Sequence, residues 1–132
     1  MNTHRYMTLI SASVLACLAL PSDAVDRVRA GQWTGTWTGA GRTRQTSTCM
    51  TQADADALNG DAKSVRLQLE KTIPAEICKL SNIVLNGGVI VYTAICTVGG
   101  PNVITTTYHG DRFESVDSSG ARSEAKLVGA CK

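Results

Sequence analysis

The chain is poor in the side chains that most catalytic and cofactor chemistry needs. Aromatic residues make up 5% of its 132 residues and there are two histidines. Neither sign of charge dominates: 13 Lys and Arg against 11 Asp and Glu leave a net charge of +2. That balance is too even for a nucleic-acid binder working through bulk charge. A hydrophobic content of 43% is too high for a disordered tail. There is no Cys-x-x-Cys, which argues against a thiol redox motif, and no cysteine pair at the short spacing of a zinc knuckle. No metal or cofactor is expected. Repeats, linkers and low-complexity stretches are missing too, and the length suits one domain rather than two.

What is present begins with an export signal. Residues 1–24, MNTHRYMTLISASVLACLALPSDA, carry Arg5, an apolar run from Met7 to Leu20, a helix-breaking Pro21 and small residues at Ser22 and Ala24. Those are the parts of a secretory signal peptide with cleavage after Ala24. The apolar run is shorter than the roughly 20 residues that span a bilayer, so no stable membrane span is expected. Val14-Leu15-Ala16-Cys17 loosely resembles a lipoprotein box. The hydrophobic run continues past Cys17, however, and a better cleavage site follows, so lipidation is the less favoured reading. The mature chain, residues 25–132, is expected to be a single periplasmic or secreted domain, and a monomer.

Without the leader four cysteines remain: Cys49, Cys78, Cys96 and Cys131. In a short exported domain these read as two disulfides with three possible connectivities. The runs Ile77 to Leu85 and Val89 to Val98 are β-rich and flank Asn86-Gly87-Gly88, a hairpin signal. If all three turn residues form the loop, Leu85 faces Val89 and Cys78 lies opposite Cys96. A two-residue turn would place the two sulfurs on opposite faces. The predicted bridges are therefore Cys78 to Cys96 and, by elimination, Cys49 to Cys131.

The rest reads as strands with one short helical interruption. Gln32 to Thr38 alternates, with Trp33, Gly35 and Trp37 on one face. Thr51-Gln52-Ala53-Asp54 resembles a helix start and Asn59-Gly60 a stop. Ser64 to Glu70 alternates again, which predicts a strand with Val65, Leu67 and Leu69 inward. Later strands flank His109-Gly110-Asp111 and Asp117-Ser118-Ser119-Gly120. Eight short strands predict an all-β antiparallel meander, closed as a small barrel or left as a curved half-barrel, with one short helix.

Candidate site residues are few. His109 is the only histidine after the leader, and no nucleophile can be paired with it by spacing, so the chain is expected not to be an enzyme. His109 and Asp111 sit in an exposed turn suited to contact with a partner. Trp33, Trp37 and Tyr92 are candidates for lining a small apolar pocket.

Gly31-Gln32-Trp33 resembles the Gly-x-Trp start of lipocalin-type barrels, where a basic residue of the last strand covers the ring; Arg122 or Lys126 would take that place. A fuller resemblance is to an exported bacterial family catalogued as domain of unknown function 3617. It runs from Gly31-Gln32-Trp33 through Cys49-Met50-Thr51, Cys78 and Cys96 to Tyr108-His109-Gly110-Asp111-Arg112-Phe113 and Gly129-Ala130-Cys131. The resemblance implies a disulfide-bonded exported β-domain without an assigned activity. The expected function is that of a non-enzymatic accessory or binding protein. An inhibitor of a secreted hydrolase and a carrier of a small hydrophobic ligand are the alternatives.

Overall fold

The computed structural model describes residues 25–132; the leader, with Cys17, lies outside the described residues. Seven strands and two helices follow in the order β1 (Gly31–Gly39), β2 (Arg42–Met50), α1 (Gln52–Leu58), α2 (Ala62–Thr72), β3 (Cys78–Asn86), β4 (Val89–Cys96), β5 (Gly100–Tyr108), β6 (Arg112–Asp117) and β7 (Arg122–Gly129). The strands form one antiparallel sheet in the order β2-β1-β7-β6-β5-β4-β3. β2 and β3 are its two edges, so the sheet is open and the closed barrel is excluded in favour of the open alternative. The two helices carry the chain from one edge to the other.

The expected strand at Ser64 to Glu70 is instead most of α2. Alternation at Val65, Leu67 and Leu69 also satisfies the helical i, i+4 spacing through Val65 and Leu69. The surrounding Ala, Lys, Gln, Leu and Glu are strong helix formers. Asp61 caps the helix by accepting from the Ser64 N–H, and Arg66 reaches Glu70 one turn on at 3.6 Å. Val65 is fully buried while Leu67 stays exposed, as a helical face requires and an inward strand face does not. α1 starts where expected: the Thr51 hydroxyl accepts from the Asp54 N–H while the Asp54 carboxylate accepts from the Thr51 N–H.

The helices cover the face that carries Trp33, Ile90, Tyr92 and Ala94, which join Ala55, Leu58 and Val65 in a single core cluster. An N-terminal strap, residues 25–30, closes one end of that core. Val28 is buried, and the Asn59 side chain accepts from the Arg27 and Val28 N–H groups and donates to the Val28 carbonyl. Arg27, 2% exposed, donates from Nε to the Gly87 carbonyl at 2.8 Å and from Nη1 to the Leu58 and Gly60 carbonyls at 2.8 and 3.1 Å. A guanidinium thus supplies the cation that α1 lacks at its C-terminus. Burial lowers its pKa, with Tyr108 opposing that shift.

Both disulfides form as expected, Cys49 to Cys131 and Cys78 to Cys96, but the hairpin reaches the second by another route. Asn86 pairs with Val89, so the turn is the two residues Gly87-Gly88. That turn alone would separate the sulfurs onto opposite faces. Between Ser81 and Val84 the register slips by one. The exposed Asn82, at φ 51°, takes up the extra residue. The bulge restores the pairing of Cys78 with Cys96. Asparagine tolerates the left-handed region better than most residues.

Candidate functional site

The face of the sheet away from the helices carries the charges of β6 and β7. The β6–β7 register places Arg112 opposite Lys126 and Glu114 opposite Glu124, and the β1–β7 register continues these rows to Thr34 and Thr36. Two like-charged cross-strand pairs therefore lie side by side, the acidic one a single strand repeat from the basic one. Like charges directly opposite are destabilising. Neighbouring rows of opposite sign offer relief, yet among the described residues neither Arg112 nor Lys126 comes within 4.0 Å of a carboxylate. Glu114 meets only His109, whose Nε2 lies 3.4 Å from its Oε1. Glu124 accepts a long hydrogen bond, 3.4 Å, from the Thr36 hydroxyl.

These side chains wall a groove of about 420 Å³, with Gly35, Phe113 and Ala125 along its base. Its volume lies within the roughly 300–1,000 Å³ range of small-molecule sites. Gly35 is there because β1 and β7 approach closely: a Cβ at this position would run into the Glu124 carbonyl and the Ala125 side chain. The groove floor at this point is therefore backbone, and the position a Gly35 Cβ would take lies on the other face of the sheet, with Trp33 and Ala125.

Of the residues singled out from sequence, His109 lines the groove, but Asp111 does not; its carbonyl accepts from the Leu127 N–H instead. Trp33 is 3% exposed in the core, with its ring N–H donating to the Arg29 carbonyl and its ring 5.6 Å from that of Phe113. Tyr92 is also buried, and burial, reinforced by Asp117, raises its phenol pKa. Trp37 is half-buried under the Arg44 guanidinium, 5.7 Å from the ring centre. Trp33 and Tyr92 are therefore packed within the core cluster while Trp37 stands outside it, so the three do not line one cavity. Arg122 and Lys126 alternate onto the face opposite Trp33, so neither covers its ring as in a lipocalin-type barrel. The groove's acidic and basic pairs were missed because their residues were read one at a time. The Asp117 to Gly120 turn fixes the register that brings them together.

Tyr108 stands beside the groove's base, its ring 5.6 Å from that of Phe113. Burial, with Tyr92 adding to it, raises its pKa strongly, so the phenol stays neutral. At the β6–β7 turn burial works to raise Asp117, but hydrogen bonds from Ser119, Asn102 and Ala121 outweigh it and hold the carboxyl below its ordinary range. Among the described residues no cluster of three or more His, Cys, Asp or Glu is arranged to hold a metal ion, and no helix is long and apolar enough to cross a membrane.

The family model described as "Protein of unknown function (DUF3617)" matches residues 28–131. The chain belongs to that family. No curated protein and no solved structure matches it.

Proposed function

We propose that this member of the family is an exported, non-enzymatic binding protein, and that its groove holds a small zwitterion. The leader and the two disulfides support an oxidising compartment outside the cytoplasm, periplasmic or secreted. The observation that carries the binding reading is the side-by-side placement of Arg112/Lys126 and Glu114/Glu124 with so little internal pairing. An ammonium between the two glutamates and a carboxylate or phosphate between the two cations would relieve both repulsions at once. The rows lie about 7 Å apart, two residues along a strand. A dipeptide or a phosphoethanolamine group spans much of that distance. The non-enzymatic reading rests on His109, whose described side-chain partner is Glu114, and on four cysteines committed to disulfides. The apolar-carrier alternative would need Trp33, Trp37 and Tyr92 around one space, and Trp33 and Tyr92 are already packed in the core.

Calorimetric titration with dipeptides and phosphoethanolamine tests the reading. Glu124→Gln is expected to weaken binding about tenfold, the equivalent of one charged contact near 1.4 kcal/mol. The same change should raise stability by a few tenths of a kcal/mol, since it removes a like-charge pair. Binding that is indifferent to Glu124→Gln, or no binding to either compound class, would refute it.

A further inference from the structure

The two sheet edges are treated differently. β3 is blunted three times over: α2 packs beside it, Arg66 Nη1 donates to the Leu80 carbonyl at 2.9 Å, and the bulge at Asn82 breaks its line. Those are recognised means of keeping an edge from pairing. Among the described residues β2 has none of them. Its pairing with β1 is unbroken over nine residues, from Gly39 with Arg42 to Gly31 with Met50. It contains neither proline nor glycine, and all of its residues but Met50 are exposed. Every second amide of such a strand points away from its neighbour with no partner in the sheet.

The side chains along that edge are unevenly charged. Arg42 and Arg44 share one face at the start of β2, while Gln45 to Met50 carries no charge. Edge charges can serve simply to repel other strands. Here both are confined to one end, and Arg44 lies over the Trp37 ring, which leaves the neutral run Gln45 to Thr48 open, up to the Cys49–Cys131 disulfide.

From this contrast we propose that β2 accepts an eighth strand from a partner protein: an extended segment with two acidic residues at alternate positions, paired antiparallel so that these fall opposite Arg42 and Arg44. Antiparallel pairing is the mode of every other strand pair in the sheet. It places the acidic residues at the C-terminal end of the incoming segment. Main-chain hydrogen bonds supply affinity and the two arginines supply register. The proposal is independent of the groove reading, because none of it requires Glu114, Glu124, Arg112 or Lys126.

The probe is an end-blocked peptide, Val-Thr-Val-Thr-Val-Thr-Glu-Thr-Glu, added to the mature protein with its disulfides intact. Amide exchange is followed by NMR. The expected result is at least tenfold slower exchange at alternate amides within residues 42–50, with β3 amides unchanged. Arg42→Glu with Arg44→Glu should weaken binding at least tenfold, and Arg42→Lys with Arg44→Lys should retain it. The spectrum outside β2 shows whether each variant is folded. Moving the two glutamates to the first and third peptide positions should also weaken binding, because they then face Met50 and Thr48. Absence of binding would overturn the proposal, as would binding without the alternating protection. Concentration-dependent dimerisation through β2 would overturn it too, since the occupant would then be a second copy of the chain.

Discussion

Removing the Arg27 side chain should cost more stability than any other single charge change in this molecule. Arg27 is 2% exposed and makes three hydrogen bonds to main-chain carbonyls, from the end of α1, the α1–α2 turn and the β3–β4 turn. Hydrogen bonds to a charged group contribute about 1.5–3 kcal/mol each, but the three share one desolvation cost, whose presence shows in the lowered pKa. The net loss for Arg27→Met is then about 3–5 kcal/mol, similar to removing one partner of a buried ion pair. For a small domain that is a large part of the about 5–15 kcal/mol total. Arg27→Lys should lose about 2 kcal/mol, because one ammonium cannot span Gly87 and Leu58 together. Methionine keeps most of the apolar stem, and the Asn59 clamp on the Arg27 and Val28 backbone is untouched. The comparison therefore isolates the guanidinium. Equilibrium unfolding in urea under non-reducing conditions reads the effect as a midpoint shift of about 2 M at unchanged slope, taking a slope near 2 kcal/mol/M. A shift equivalent to less than about 1 kcal/mol for Arg27→Met would refute the reasoning. Desolvation would then cancel the three bonds, leaving Asn59, the Gly110 N–H on the Arg27 carbonyl and the buried Val28 to hold the strap.

Two other predictions concern local devices. Asn82→Val forces a β-branched residue to φ 51° and should destabilise by about 1–3 kcal/mol, whereas Asn82→Gly should be within about 0.5 kcal/mol of the parent; equal melting temperatures for the two variants would show that the bulge is not strained by its side chain. Asp54 is held below its ordinary value of 3.8 by hydrogen bonds from Thr51, and Asp61 below 3.8 by those from Ser64. With folded-state pKa values depressed, their stabilising contribution is present above the unfolded value and is lost as pH falls through the folded ones. Thermal melts should therefore decline below about pH 4, and Asp54→Asn with Asp61→Asn should flatten that decline; an unchanged acid limb in the double variant would show that other carboxylates govern it.

Much of the fold was legible because its strands announce themselves by alternation and their turns by Gly, Asn and Asp. The cysteine pairing came out correctly from a turn length that is wrong by one residue. Sequence gave no sign of the bulge at Asn82, which compensates, since an asparagine among Ser81, Ile83 and Val84 looks like an ordinary outward residue. α2 was misread because Val65, Leu67 and Leu69 fit a period of two as well as Val65 and Leu69 fit a helical turn. The deciding facts were the helix-forming neighbours and the cap at Asp61. Arg27 could not have been assigned its role, because its three acceptors lie 31 to 60 residues away. The groove was within reach. Once the Asp117 to Gly120 turn is given its register, Glu114 and Glu124 must face one another.

The position of the Cys49–Cys131 disulfide follows from how unevenly the core is distributed. The helices, the strap and most of the buried residues lie toward β3 and β4. β2, by contrast, has no buried residue and packs chiefly on β1. A strand so little supported by burial would fray, since local opening is easiest where few apolar contacts are lost. Cys49, near the end of β2, reaches over β1 to Cys131, just beyond β7. That single link closes a loop with a sequence separation of 82, worth about 4 kcal/mol on the chain-entropy model. It holds the open half of the sheet in place without covering it. The groove floor between β1 and β7 and the free edge of β2 both lie within this half. A core packed against them would have rigidified the strands only by occupying the surfaces proposed to bind. The covalent staple gives rigidity and leaves those surfaces exposed.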